Sequence, residues 1–257
     1  MDPFRFASGL KSRLPNDLID RSDADLREEQ GRHLSPFILA ESMARMSQKQ
    51  LDPIGEAIQT AIESACVIRV SSPSQGMQWT GSGFLIPNGI IVTTAHLFPG
   101  TPGSKIEVSF DGVKYFNAML AGSDESVDVA ILMTDSDLPI RPVEFTIDPV
   151  IPGEIISVIG APEGWENTVT VGRVSGTGKT PDEPPDPSWQ EMTFVDADIS
   201  EGSSGSMVID ITGGVIGMAM GVIGERAADY GLGQNAVIPT ERILQVMNSK
   251  PLTRERL

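Results

Sequence analysis

Cysteine is almost missing: Cys66 is the single thiol among 257 residues, so an internal disulfide is excluded. That suits a reducing compartment, or a fold that needs no covalent staple. Cys66 sits in an apolar run and reads as a small buried hydrophobe. Long hydrophobic runs are missing as well, and none reaches the length that crosses a bilayer. Met1 to Pro15 interleaves Asp2, Arg5, Lys11 and Arg13 with short apolar pieces, so no secretory signal is expected there. The expectation is a cytoplasmic protein without membrane contact. Positive charge is in deficit, with 19 Lys and Arg against 35 Asp and Glu and a net charge of −16. Phosphate backbones and anionic membranes would repel such a chain at long range, which disfavours nucleic acid as a partner. There is no Cys/His cluster for zinc, no phosphate-binding loop with a lysine and no EF-hand loop, so no metal or cofactor is implied.

What the chain does have is 40% hydrophobic residues, 26 Gly and 19 Pro, enough core and enough turns for one large all-β domain or two smaller ones. Residues 1 to about 34 are polar and mixed in charge and read as an arm; His33 there reads as solvated. Ser35-Pro36 and Asp52-Pro53 are helix-start signals. The second opens a helix to about Ser64 on which Ile54, Ala57, Ile58, Ala61, Ile62 and Ala65 recur at helical spacing. From there the pattern is short strands: 66–70, 83–86, 89–93, 105–110, 115–121, 129–133, 155–159, 168–174, 192–196, 207–210, 215–222 and 236–238. Regular strands separated by Gly, Pro, Asn and Asp argue for barrels or a sandwich. A last helix, 239–248, is capped by Thr240 or a neighbour. Gly176 to Gln190 and Gly224 to Gly233 are long loops, each either a rim of the site or plain solvated surface. The organisation expected is an arm and helical extension over 1–52, a β domain over 53–250 and a tail over 251–257.

Three segments carry chemistry. Gly202-Ser203-Ser204-Gly205-Ser206 surrounds one hydroxyl with small residues, which is also the composition of an ordinary flexible turn. Its alternative use is to present Ser204 as a nucleophile, with N–H groups of the turn (Gly202, Ser203, Ser204) converging on a developing oxyanion. Ile90-Ile91-Val92-Thr93-Thr94-Ala95-His96 is an apolar strand ending on the only histidine of the β region. Imidazole can take a proton from a serine and return it to a leaving amine. Asp128 stands at the mouth of the apolar strand Val129-Ala130-Ile131-Leu132, either as a turn residue or as the acceptor that orients the imidazole. Together they give the order His, Asp, Ser used by chymotrypsin-like enzymes.

The chain resembles trypsin-like serine proteases of the HtrA/Deg type. The matching words are Thr80-Gly81-Ser82-Gly83-Phe84-Leu85-Ile86, Val92-Thr93-Thr94-Ala95-His96, Asp128-Val129-Ala130-Ile131-Leu132, Gly160-Ala161-Pro162 with Glu166-Asn167-Thr168-Val169-Thr170, the Ser204 segment, Gly214-Val215-Ile216-Gly217 and Ala236-Val237-Ile238-Pro239. They span about residues 54 to 248. The resemblance implies a mainly β, chymotrypsin-like double β-barrel, here with an N-terminal helical extension and a C-terminal helix. It implies a serine endopeptidase acting on protein or peptide substrates through an acyl-enzyme, with His96 as base, Asp128 as orienting acid and Ser204 as nucleophile. The N–H groups of Gly202 and Ser204 are then the oxyanion hole.

Departures from the family pattern also carry expectations. Ser203-Ser204-Gly205-Ser206-Met207 stands where Asn-Ser-Gly-Gly-Pro is usual, Ser203 has no carboxylate to receive a newly cut N-terminus, and no PDZ domain is expected after the last helix. Asp198, six residues before Ser204, falls where Arg- and Lys-specific members carry the aspartate of the primary pocket, so cleavage after Arg, with Lys second, is the expectation. If Asp198 points outward instead, a pocket lined by Met218 and Met220 would prefer medium aliphatic residues. The alternative to a constitutive enzyme is a protease-fold regulatory module, inactive or activated by a protein docking on the N-terminal helices. The sequence sets no oligomeric state.

Overall fold

Apolar runs such as Ile90-Ile91-Val92 and Val129-Ala130-Ile131-Leu132 have no polar face, and a strand with that pattern has to be covered on both sides. In the computed structural model they are. The structure describes residues 53–72, 76–100, 103–134, 138–161, 168–178, 192–200, 202–221 and 235–249. The chain divides into units 1–50 and 51–257. The arm, the helix expected from Ser35, the loop beyond Gly178, the Gly224 to Gly233 loop and the tail all lie outside the described residues.

The first barrel closes in the order β1-β2-β3-β6-β5-β4, from β1 (Ala65–Ser72), β2 (Met77–Ile86), β3 (Ile90–Thr93), β4 (Lys105–Ser109), β5 (Tyr115–Asp124) and β6 (Val129–Thr134). The second closes in the order β10-β11-β12-β9-β8-β7. Its strands are β7 (Ile155–Gly160), β8 (Thr168–Gly178), β9 (Met192–Val195), β10 (Met207–Ile209), β11 (Val215–Gly221) and β12 (Asn235–Pro239). The double barrel is the architecture the resemblance implied. All twelve expected strands are present, most of them longer than predicted.

Three apolar layers follow from the alternation of side chains along these strands. Ile68, Leu85, Ile91, Val108 and Leu132 fill the first barrel, and Ile156, Val158, Val208, Ala219 and Val237 fill the second. The opposite faces of the same strands supply Phe84, Val92, Ile131, Ile159, Met207, Met218 and Ile238 to the seam between the barrels. Helix α1 (Pro53–Ala61) and helix α2 (Thr240–Ser249) close that seam with Ala57, Ala61, Ile243 and Val246. Pro53 opens α1 as the sequence predicted, and a short 3₁₀ turn, Ile62–Ser64, hands over to β1. Thr240 is not the cap of α2. It is the first helical residue, and its buried hydroxyl donates to the Val215 carbonyl at 2.7 Å, tying the helix to β11.

Cys66 is buried in the first barrel, and burial pushes its thiol well above the ordinary range, so it behaves as the small hydrophobe expected. Among the described residues no helix is long and apolar enough to cross a membrane, and no group of His, Cys, Asp and Glu side chains is arranged to hold a metal ion.

Candidate active site

Strand pairing brings two of the three chemical segments together. β3 pairs with β6 in the register Thr93↔Ala130, so the residues just past the end of β3 meet those just before the start of β6. The Ala95 N–H donates to the Asp128 carbonyl at 3.2 Å. The His96 N–H donates to Asp128 Oδ1 at 2.9 Å, and His96 Nδ1 lies 2.8 Å from Asp128 Oδ2. A carboxylate only accepts, so Nδ1 carries the proton and the Nε2 lone pair is left to act as base. The side chain of Asp128 is 17% exposed and that of His96 49%. Thus the acid sits inside the clamp while the ring opens to solvent. Asp128 takes φ +56°, a left-handed conformation rare for a residue with a side chain, and the three bonds from 95 and 96 hold it there.

The third segment is a turn entering β10 from the second barrel. Gly202 and Gly205 take φ +84° and +89°. An added Cβ on Gly205 would strike the Ser82 carbonyl and come within 2.7 Å of Thr93 Oγ1, so the turn packs directly on β2 and β3 of the other barrel, three residues from His96. The Ser203 N–H donates to the Ser200 carbonyl (3.0 Å), that of Gly205 to Ala219 (2.8 Å) and that of Ser206 to Ser203 (2.9 Å). Among the described residues nothing accepts from the N–H groups of Gly202 and Ser204. Of the three residues expected around an oxyanion, Ser203 therefore has its N–H committed, and the other two donors have no acceptor among the described residues. Ser204 Oγ donates to the Met220 carbonyl at 3.2 Å; among the described residues it has no hydrogen bond to the His96 ring.

Ser82 is a residue to which sequence reasoning gave no role. It is fully buried in β2. Its N–H donates to the Ser204 carbonyl and its Oγ to the Gly202 carbonyl, both at 2.9 Å, while Oγ accepts the Ala161 N–H at 2.8 Å and the Ser82 carbonyl accepts Thr93 Oγ1 at 2.7 Å. The available signal was a lone hydroxyl between two glycines at the head of an apolar run, because a buried hydroxyl needs partners.

The three expected specificity residues do not share a pocket. Met218 is fully buried in the seam beside Met207 and Ile238, which corrects its assignment to a substrate pocket: on β11 its face meets the other barrel. Met220, on the same face, is half-buried at the edge of the seam, and its carbonyl faces the nucleophile turn. Asp198 is exposed and lines a cavity of about 270 Å³ with Val158, Thr170, Ile199 and Ser203. Its carbonyl accepts Thr170 Oγ1 at 2.8 Å, and among the described residues no cation pairs with its carboxylate.

A family model described as trypsin-like peptidase domain matches residues 81–218. The serine protease Rv3671c of Mycobacterium tuberculosis is 31% identical over 175 residues, which are 65% of this chain and 43% of that protein. A periplasmic DegP-like serine endoprotease of Hahella chejuensis is 32% identical over 176 residues, 68% of this chain and 36% of that protein. The chain thus spans less than half the length of these curated relatives. The crystal structure of the M. tuberculosis protease in its active form matches with a TM-score of 0.67 at 27% identity, covering 78% of this chain and 86% of that one.

Proposed function

The chain belongs to the trypsin-like peptidase family and is related to the HtrA and DegP serine proteases, and on that footing we propose that it is a serine endopeptidase with Ser204 as nucleophile, His96 as base and Asp128 as orienting acid. The observation that carries the proposal is the double acceptance by Asp128 of the His96 N–H and Nδ1–H, which fixes tautomer and ring direction at once. Ser204 Oγ turns from Met220 to the imidazole and attacks the peptide carbonyl carbon as its proton passes to Nε2. The carbonyl oxygen becomes an oxyanion facing the N–H groups of Gly202 and Ser204. As the C–N bond breaks, the leaving amine takes the proton from the imidazolium, whose charge the Asp128 carboxylate stabilises. Water, deprotonated by the same nitrogen, then cleaves the ester and returns the hydroxyl to Ser204.

Cleavage after Arg, with Lys second, belongs to the same proposal and is supported by the exposed carboxylate of Asp198 beside the nucleophile turn, with which no cation among the described residues pairs. So does a cytoplasmic setting, which the single cysteine suits. Fluorogenic peptides differing only in the residue before the cut test both the activity and its preference. The expected result is fastest release after Arg, and in Ser204→Ala a loss of about 10⁴-fold or more. An equally active Ser204→Ala variant overturns the proposal, and indifference to Arg removes the basic preference alone.

One observation favours a second reading, a module gated by a partner protein at the N-terminal helices: the Ser204 hydroxyl rests on Met220 instead of on the base. Steady hydrolysis by the isolated chain from the first seconds supports the constitutive enzyme. Turnover that begins only when another protein is added supports the gate.

A further inference from the structure

Ser82 stands on the first barrel, yet its bonds control the backbone of the turn that presents Ser204. The carbonyls of Gly202 and Ser204 both point at it, one held by its Oγ and the other by its N–H. In a trans peptide the carbonyl and the next N–H point in opposite directions. The Gly202–Ser203 plane is therefore pinned at both ends, by Ser82 Oγ on its oxygen and by the Ser200 carbonyl on its N–H. The Ser204–Gly205 plane is pinned in the same way, by the Ser82 N–H and the Ala219 carbonyl. Between these two fixed planes lies the Ser203–Ser204 peptide, whose N–H is one of the two donors without an acceptor among the described residues.

We infer that Ser82 is a positioning residue for the reaction: its hydroxyl, charged with a bond from Ala161 and giving one to Gly202, fixes the direction of the oxyanion donors from the opposite barrel. The inference rests on the proposed endopeptidase reading. Its physical basis is that a buried hydroxyl has one hydrogen to give, and here the Ala161 N–H occupies a lone pair, so the hydrogen is directed at Gly202. Without it the buried Ala161 N–H and the half-buried Gly202 carbonyl would both lose their partner, and the cheapest relief is rotation of the Gly202–Ser203 peptide toward water. That rotation carries the oxyanion donors away from where charge develops. Ground-state binding of a peptide is expected to change little.

The test is the Ser82→Ala variant of the full chain, measured for kcat and KM on a peptide substrate and for melting temperature, against Ser64→Ala. Ser64 is an equally buried serine whose hydroxyl donates to the Arg141 carbonyl at 2.6 Å, at the entrance to β1. Direct loss of an oxyanion donor costs about a hundred- to a thousandfold, so loss of its positioning is expected to lower kcat by about ten- to a hundredfold with KM within about twofold. Ser64→Ala is expected to lose comparable thermal stability and keep its kcat. If Ser82→Ala does not fold, Ser82→Cys, which keeps a weaker donor in place, carries the test, with kcat expected below wild type at unchanged KM. A folded Ser82 variant with wild-type kcat, or one whose kcat falls no further than that of Ser64→Ala, overturns the inference. Activity that survives Ser204→Ala would instead sink the endopeptidase reading, so the two failures are distinguishable.

Discussion

In the first barrel the base and its acid are joined within a single sheet, across one strand pair, by two hydrogen bonds, with a third from the Ala95 N–H to the Asp128 carbonyl beside them. In the second barrel the nucleophile turn draws part of its shape from outside: Ser82 and Thr93 of the other barrel close on Gly202, Ser204 and Gly205. The difference teaches where each half is vulnerable. The acid–base pair is as rigid as the barrel that carries it, whereas the nucleophile is positioned only while the seam is packed. Damage inside the clamp should therefore remove chemistry and spare folding, and damage at the seam should strike stability first.

Asp128→Asn makes the sharpest cut on the clamp side. The carboxamide presents a donor to a ring nitrogen that is itself a donor, so the imidazole flips or changes tautomer, and kcat is expected to fall about 10⁴-fold with the melting temperature nearly unchanged. A variant that lost stability and activity in parallel would break the comparison. Gly205→Ala attacks the seam at its tightest point. The positive φ alone costs about 1–3 kcal/mol, and the new methyl strikes the Ser82 carbonyl, so stability and kcat are expected to drop together, as read by denaturant unfolding and peptide hydrolysis.

Met218→Ala separates the two uses proposed for β11. A fully buried methionine in the seam leaves a cavity when truncated, at a cost of about 2–5 kcal/mol, with the residue preference at the cut unchanged. A changed preference at unchanged stability would restore Met218 to the substrate pocket. Glu107→Gln is the smallest effect, on the outer face of the first barrel and away from the site. The Lys105 ammonium at 2.6 Å and the Arg69 guanidinium at 2.7 Å hold the Glu107 carboxyl below the usual carboxylate range. Because its native value is lowered, the contribution is complete above the ordinary carboxylate range and vanishes as pH falls through that lowered value. Wild type should exceed the variant by about 0.5–1 kcal/mol at neutral pH, and the two should converge in acid, in unfolding measured across pH. Activity should not change.

What could be read from the residues, and what could not, divides along the same line. Doubly apolar runs such as Ile90-Ile91-Val92 made the strands legible, but the strands alone allowed barrels or a sandwich, and only the resemblance implied the double barrel. The strand ends at His96 and Asp128 were visible too, since each follows or precedes such a run directly. Met218 and Met220 were expected to line a pocket, but alternation along a strand says only that residues two apart share a face, not whether that face meets a cavity or another barrel. The part of Ser82 was hidden by distance: its hydroxyl bonds a carbonyl 120 residues away, and no local pattern encodes which strand will lie beside which turn. The left-handed backbone of Asp128 was equally silent, because tertiary bonds impose it against the residue's own preference.

The central claim is that side chains from two barrels act as one chemical unit on Ser204. Labelling the folded chain with a fluorophosphonate and locating the adduct by mass spectrometry tests it most directly, with His96→Ala measured alongside. A single adduct at Ser204 in the wild type and its near-complete loss in His96→Ala are expected. Labelling of Ser204 at the same rate in both proteins, or an adduct on a different serine, would contradict the claim.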